Sequence, residues 1–559
     1  MMAPKSDQAP KRPASGEPGG SFVLQAAPAR APGTSSGFSG TCNAQHNFSQ
    51  SEVIKFLASR EAYGRLPDKR IDTHISHVFL VGRHAYKLKK AIKLDFLDYT
   101  SLEARRLACE REIELNSKTA PQIYIGVAAI TRSDTGFHFD GDGEVVDYIV
   151  MMNRFDETTL FDNLCANNDL KDPLIADLAE QVAKLHMSSE MRIGEGGGKS
   201  VEATLAGVVK TLSKFNGDVF ARGAVANWAL KMEAQLLRQA RRLDIRGRMG
   251  FVRQCHGDLH LGNICLINGR PTPFDAIEFG DSYSDIDVLY DLAFPIMDLV
   301  CAGAFGQANL LLNRYLEMTA DYAGLHVLPM FMSLRAGVRA MVRALEWQRI
   351  GTSGDSAERR AARQAARAYF ECAESCLDTG RQKLIAIGGI SGTGKSTLAR
   401  SLALEIAPRE GAIVLRSDAI RKRLFHQTAL VPLPSEAYSE EINLRVFRAL
   451  CRDAHRALQG GYSVIVDATF LDPQHRTHLE EFANKKRAGF TGLWLEVDED
   501  TAIARVAGRT SDVSDADNKV VVRQIAGGAG LVTWARIDAA GSPAEVFDRA
   551  CEALTPRVE

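Results

Sequence analysis

Two stretches of the 559-residue chain carry residue types and spacings suited to chemistry on phosphates. The sharper is Gly389-Ile390-Ser391-Gly392-Thr393-Gly394-Lys395-Ser396-Thr397, a complete G-x-x-x-x-G-K-S pattern between a strand-like run and a helical one. In such a loop Gly389, Ser391, Gly392, Thr393 and Gly394 let backbone N–H groups close around phosphate oxygens. The helix that begins with Lys395, Ser396 and Thr397 turns its positive end toward them. Lys395 is expected to neutralise the outer phosphates and Ser396 to ligate magnesium. A Gly-rich turn without a ligand is the alternative, and the strand and helix flanks argue against it.

The next polar residues fall where a transfer reaction would need them. Asp418 follows the strand expected over 412–415, and Asp467 follows the one over 463–466. The carboxyl ends of parallel strands share one rim, where such folds place ligands. Asp418 could take a proton from an acceptor hydroxyl while Arg421, a turn later, holds an anionic group. Asp467 would orient magnesium or its water. Arg505 and Arg509, four apart on one helix face, have the spacing of a lid over transferring phosphoryl charge, or of an ordinary solvated face.

The second stretch is His256-Gly257-Asp258-Leu259-His260-Leu261-Gly262-Asn263, followed by Pro273-Phe274-Asp275-Ala276-Ile277-Glu278. Asp258 in a tight loop could position or deprotonate a hydroxyl. Asn263 and Asp275 offer oxygen ligands for magnesium ions that bridge ATP phosphates. A zinc pair made by His256 and His260 is the rival reading, but no third or fourth ligand is apparent; His256 is expected instead to bond backbone within the loop.

Composition narrows the classes of function. With 45% hydrophobic and 25% charged residues, collagen-like, mucin-like and wholly disordered chains are excluded. Charges nearly cancel, 68 Lys+Arg against 69 Asp+Glu, so no global basic field exists to hold nucleic acid. The ten cysteines include no C-x-x-C pair and read as small buried hydrophobes in a reducing compartment, which makes cytoplasm the expected location. The best apolar stretch, Leu289 to Phe305, is broken by Asp291, Pro295 and Asp298, so no membrane span is expected. Nor does the start carry a signal peptide's apolar region.

Four segments follow from the patterning. Residues 1–45, rich in Ala, Pro, Gly and Ser, read as a disordered tail. Residues 46–350 begin as a strand-rich lobe, with strands expected over 76–88, 123–131 and 145–152 around a helix over 101–117, and continue as helices. Residues 351–380 read as a helical linker opened by Gly351, Thr352, Ser353 and Gly354. Residues 381–559 alternate short Val/Ile/Leu runs with amphipathic helices, the grammar of a buried parallel sheet.

The last segment resembles the P-loop small-molecule and polynucleotide kinases that include zeta-toxin-like and chloramphenicol phosphotransferase-like proteins. The resemblance rests on the P-loop, on Ser417-Asp418-Ala419-Ile420-Arg421, on Val466-Asp467-Ala468-Thr469-Phe470, and on Arg505 and Arg509 followed by Ser514-Asp515-Ala516. It implies Asp418 as base, Arg421 as acceptor clamp and Arg505 or Arg509 as lid arginine.

The segment 46–350 resembles the aminoglycoside phosphotransferase family, with its bilobal, protein-kinase-like α+β fold and H-x-D-x-x-x-x-N loop. That resemblance implies Lys87, in Ala85-Tyr86-Lys87, as the phosphate-binding lysine and Glu112 as its ion-pair partner, with Lys89 and Glu110 as competing assignments. It also implies that the stretch Tyr148 to Arg154 presents backbone groups to adenine. No G-x-G-x-x-G loop precedes Lys87, only Gly82, so a different hairpin must cover the phosphates. Asp275 is followed by Ala276 and Ile277, which excludes a D-F-G switch.

The combination resembles bifunctional proteins joining these two domains, an α+β kinase-like domain followed by an α/β P-loop domain. The expected function is ATP-dependent transfer at two Mg-ATP sites to small-molecule hydroxyls. The alternatives are that one domain senses nucleotide and regulates its neighbour, or that the second acts on polynucleotide ends through Arg416, Arg421, Lys422 and Arg423.

Overall fold

Strand and helix alternate along the chain, but the single strand expected over 76–88 is a hairpin of two, Ser76–Val81 and His84–Lys89, because the turn at Gly82, with φ of 57°, reverses the chain. The structure, a computed structural model, describes residues 50–94, 97–194, 197–351, 356–378, 380–407, 409–428, 431–508 and 514–554. The expected tail, the opening Thr352–Gly354 of the expected linker, and Arg509 lie outside the described residues.

After α1 (Gln50–Leu57) come β1 (Lys69–Asp72), β2 (Ser76–Val81), β3 (His84–Lys89), the short pair β4 (Lys93–Leu94) and β5 (Leu97–Asp98), α2 (Leu102–Asn116), β6 (Tyr124–Ser133), β7 (Gly136–Phe139) and β8 (Glu144–Asn153). Six of these strands form an antiparallel sheet in the order β1-β2-β3-β8-β6-β7. Ser101 starts α2 by accepting a hydrogen bond from Ala104 N, and the helix packs on β6 and β8.

The helical lobe contains α3 (Phe161–Ala166), α4 (Asp172–Ser188), α5 (Gly197–Leu212), α6 (Ala224–Arg248), β9 (Val252–Gln254), β10 (Ile264–Ile267), β11 (Arg270–Pro273), α7 (Asp281–Ser284), β12 (Asp285–Asp287), α8 (Val288–Cys301), α9 (Phe305–Thr319) and α10 (Leu328–Arg349). The stretch with the longest apolar run becomes α8, buried from Val288 to Val300 in the centre of this lobe. Among the described residues no helix is long and apolar enough to cross a membrane.

The expected linker contains α11 (Ala357–Ser375), which packs along α10 and buries Ala362, Ala366, Phe370 and Ala373 on one face. Cys372 on this helix is joined by a disulfide to Cys301 at the end of α8, with Cα atoms 5.9 Å apart. The reading of every cysteine as an isolated small hydrophobe therefore fails for these two. Their spacing of 71 residues hides a contact that only helix packing creates.

The last region runs β13 (Lys383–Gly388), α12 (Lys395–Glu405), β14 (Ile413–Arg416), α13 (Ser417–Leu424), α14 (Glu440–Gln459), β15 (Val464–Asp467), α15 (Pro473–Lys486), β16 (Gly489–Glu496), α16 (Glu499–Ala507), α17 (Asn518–Gly527), β17 (Ala535–Asp538) and α18 (Pro543–Leu554). Its five strands are all parallel, in the order β14-β15-β13-β16-β17. Strand β14 extends to Arg416 and α13 begins at Ser417, so Asp418 stands in the first turn of a helix. Asp467 is the last residue of β15.

The described residues, from Gln50 to Leu554, fall in one compact unit. Leu292 and Phe331 of the helical lobe belong to the same contiguous buried set as Leu384, Ala386, Leu415 and Val464 of the parallel sheet.

Candidate functional site

In the first half, β3 is a half-buried strand whose alternation sends Lys87 and Lys89 to one face. Lys87 Nζ lies 2.8 Å from Glu112 Oε1 and 2.5 Å from Asp275 Oδ1. Lys89, fully buried, pairs instead with the other oxygen of Glu112 and with Glu278, which also accepts from Tyr99 OH at 2.7 Å. Glu110 is turned outward to Arg106. The two competing assignments thus separate: Lys87 faces both Glu112 and Asp275, while Lys89 is the deeper of the pair.

Burial alone would push the Lys87 ammonium down, but Asp275 and Glu112 outweigh it and hold it well above its ordinary value. Burial likewise opposes ionisation of Asp275, and Lys87 overrides it, keeping the carboxyl below its usual range. Asp275 takes a left-handed backbone with φ of 62°. Its N–H is held by Tyr124 OH at 3.1 Å, and the next N–H, of Ala276, by Asn116 Oδ1 at 2.9 Å.

The loop from His256 to Asn263 is fixed from below by α8. Asp291 accepts from His256 N at 3.1 Å and from Gly257 N at 2.9 Å, and Asp298 accepts from Leu261 N at 3.1 Å. Asn263 Nδ2 donates to Asp258 O at 3.0 Å and to Asp258 Oδ2 at 3.1 Å, so the expected base and the expected metal ligand are adjacent. His256 Nε2 bonds Phe274 O at 2.9 Å, tying this loop to the one that carries Asp275. Burial pushes the His260 imidazole below its ordinary pKa, against the pull of Asp258.

Among the described residues, His256 and His260 share no third ligand. The group of three potential ligands that converges among the described residues is His186, Cys255 and Asp291. Both His186 nitrogens are already engaged there, Nδ1 with Tyr315 OH at 3.0 Å and Nε2 with Asp291 at 3.1 Å. The cluster braces the loop.

The stretch ending β8 continues into Arg154, and the hairpin between β2 and β3 turns at Gly82-Arg83. Gly82 N donates to Asp68 Oδ2 at 2.8 Å.

In the second half, the loop Gly389 to Gly394 joins β13 to α12. At Gly392, φ of 89° and a position where a Cβ would fall 2.4 Å from Ala502 O both require glycine. Lys395 Nζ reaches back to Ile390 O at 2.8 Å, and Thr393 Oγ1 donates to the same carbonyl at 2.9 Å. Ser396 Oγ donates to Asp467 Oδ2 at 2.5 Å, and Arg416 Nη2 donates to Ser396 Oγ at 3.2 Å. Ser391 N donates to Gln524 Oε1 of α17 at 2.8 Å. Thr397, in the first turn of α12, is exposed.

Asp418 is hydrogen-bonded by Ser514. Burial raises its carboxyl pKa and Asp467 adds to the rise, with Ser514, Arg416 and Lys395 opposing. Arg421 donates to Ala437 O at 2.6 Å and lies 4.8 Å from the centre of the Tyr438 ring. Asp515 gathers Lys422 Nζ at 2.5 Å, Leu433 N at 3.0 Å and Tyr438 OH at 3.0 Å, so the segment after α16 is tied to the one after α13. Arg505 donates to the carbonyls of Ala539 and Gly541 beyond β17.

Each side chain of the basic cluster has a partner within the protein. Arg416 faces Ser396 and Asp467, Arg421 faces Ala437, Lys422 faces Asp515, and Arg423 pairs with Asp453 at 2.6 Å.

Sequence reasoning missed Asp291, Asp298, Tyr124, Asn116 and Gln524. A signal existed for the first two: acids inside an otherwise apolar buried helix must have partners.

Several known proteins are similar to this chain. A protein of Mycobacterium tuberculosis, itself uncharacterised, is 29% identical over 479 residues, which cover 84% of this chain and 92% of that protein. A gluconokinase from Sinorhizobium meliloti is 23% identical, covering 31% of this chain and 93% of its own, with a TM-score of 0.24. A choline/ethanolamine kinase family protein from Mesorhizobium loti is 14% identical, covering 59% of this chain and 98% of its own, with a TM-score of 0.34. Residues 384–529, within the region of the five-stranded parallel sheet, match the family model described as an AAA domain.

Proposed function

We propose that the chain is a two-site ATP-dependent phosphotransferase, each half binding its own Mg-ATP and passing the γ-phosphoryl group to a hydroxyl of a small molecule. The observation that supports this best is that each half separately carries, on adjoining elements, a lysine, two side chains with an oxygen suited to a metal, and a further carboxylate. Lys87, Asn263, Asp275 and Asp258 form the first set, and Lys395, Ser396, Asp467 and Asp418 the second.

In both sites the donor sets suit magnesium, which takes hard oxygen ligands. Asn263 and Asp275 would hold it in the first, and the Ser396 hydroxyl with Asp467 in the second. The ion, when bound, neutralises charge on the phosphate oxygens.

The residues themselves do the rest. Asp258 or Asp418 accepts the proton of the acceptor hydroxyl as its oxygen forms a bond to Pγ. The bond from Pγ to the bridging oxygen breaks, and ADP leaves with that electron pair. Such a loose transition state asks mainly for positioning and charge. Glu112 orients Lys87 in the first site, and Arg416 crosses over Ser396 in the second. Arg421, buried beside Tyr438 a turn after Asp418, becomes the acceptor-side cation, and Arg505 a lid residue, by exchanging their bonds to the carbonyls of Ala437 and of Ala539 and Gly541 when acceptor and nucleotide bind.

The test is product analysis. The full chain and its Asp258→Ala and Lys395→Ala variants are incubated with ATP and a pooled small-metabolite extract, and phosphorylated products are followed by mass spectrometry. Two product sets, one lost in each variant, are expected; ATP binding with no transferred phosphate from any form would overturn the reading.

A further inference from the structure

Strand β14 is one of the two edge strands of the parallel sheet, and its open edge is turned toward α9 of the first half. Two asparagines four residues apart on that helix line it. Asn309 Nδ2 donates to Glu410 O at 2.6 Å and to Ala412 O at 3.0 Å. Asn313 Nδ2 donates to Ala412 O at 3.2 Å, while its Oδ1 accepts from Val414 N at 2.7 Å. The Ala412 carbonyl and the Val414 N–H are thus paired as another strand would pair them.

The pairing matters because this edge is inside the protein. Ala412, Ile413 and Leu415 are fully buried and Asn309 is 6% exposed. An unmet backbone group there would carry its full desolvation cost. Gly411 permits the approach: its φ is +73°, and a Cβ would fall 2.7 Å from Asn309 Nδ2. Beyond Val414 the strand ends at Arg416, which meets Ser396 and Asp467, and Asp418 follows within two residues.

We infer that Asn309 and Asn313 are positioning residues for the second site, side chains of the first half that complete the sheet edge and so hold Arg416 and Asp418 against Ser396 and Asp467. The inference rests on the reading of Asp418 as the second site's base. The glycine loop itself, Gly389 to Gly394, follows β13, two strands further in, and meets this edge only through α12 and the bond from Arg416 to Ser396. Loosening the edge should therefore disturb transfer more than nucleotide binding.

The test uses the full chain carrying Asp258→Ala, so that the first site is silent. MgATP affinity is measured by titration, MgATP hydrolysis to ADP with water as acceptor, and backbone exchange at Val414 by mass spectrometry. The Asn309→Ala/Asn313→Ala double variant is expected to keep its MgATP affinity within about twofold, to exchange faster at Val414, and to hydrolyse about tenfold more slowly, as a misplaced reacting group does. The single Asn309→Ala variant, which keeps both Asn313 bonds, should lie between it and the parent. Asn313→Asp should be no better than Asn313→Ala, because its carboxylate would face the Ala412 carbonyl.

Faster exchange with undiminished hydrolysis overturns the proposal, and so does an equal loss of affinity and turnover. An Asp418→Ala variant with undiminished hydrolysis removes the reading of Asp418 and the proposal with it. An inactive Asp418→Ala variant beside undiminished asparagine variants overturns the proposal alone.

Discussion

Lys87 donates to Glu112 across 25 residues of sequence, at 2.8 Å, and Glu112 spends its other oxygen on Lys89. One buried carboxylate therefore holds two ammonium groups of the same strand. Glu112→Ala leaves both with a single remaining partner and is expected to destabilise the protein by about 3–5 kcal/mol, the range for removing one member of a buried pair. Lys87→Met should cost less, because Glu112 keeps Lys89, yet weaken nucleotide binding in the first half. Urea unfolding and MgATP titration of both variants separate the two effects.

Asp291 supports the first site without facing the nucleotide. Asp291→Ala orphans the N–H groups of His256 and Gly257 and frees the loop that carries Asp258. First-site transfer should fall about a hundredfold while MgATP affinity changes little, since a displacement of about 1 Å suffices for such a loss. A proportional loss of affinity, measured by titration, would place Asp291 outside this role.

Proton linkage runs in opposite directions at two carboxylates. Asp418 is raised by burial, so it must lose its proton at a pH above the ordinary carboxyl range before it can act as base. Second-site transfer should rise with pH through that displaced value. A group raised in this way destabilises the folded protein once it is ionised, so Asp418→Asn should abolish transfer and raise the midpoint of thermal unfolding at neutral pH. Asp275 is depressed, mainly because Lys87 overrides burial, and its contribution to stability is present above the unfolded carboxyl pKa and lost as pH falls through the folded one. Thermal unfolding between neutral and acid pH, with Asp275→Asn for comparison, reads that loss.

The Cys301–Cys372 disulfide closes a loop of about 71 residues between α8 and α11. A closure of that length contributes about 4 kcal/mol in the chain-entropy picture. Dithiothreitol, or the Cys301→Ser/Cys372→Ser pair, should lower unfolding stability by roughly that amount, and the two treatments should not add. Equal stability with and without reductant would remove the bridge.

Much of this was legible in the sequence where the signal is local. The P-loop needs only adjacent residues, and the alternation that puts Lys87 and Lys89 on one face is a property of any strand. The Val/Ile/Leu runs at Leu384–Ile387 and Val464–Val466 announced a sheet buried on both faces. Choosing between Lys87 and Lys89, or Glu110 and Glu112, needed three dimensions, because helix and strand period leave each pair nearly equivalent until Asp275 and Glu278 arrive from roughly 190 residues away. Asp291 was visible only as an acid interrupting an apolar run, and its partners are backbone groups, which no side-chain pattern encodes. The amide ladder from Asn309 and Asn313 was hidden for the same reason.

The most direct test of the two-site reading is the stoichiometry of MgATP binding by the full chain. Isothermal titration should give two equivalents per chain, falling to one in Lys87→Met and to one in Lys395→Ala, with none in the double variant. A single equivalent that survives either substitution would contradict it.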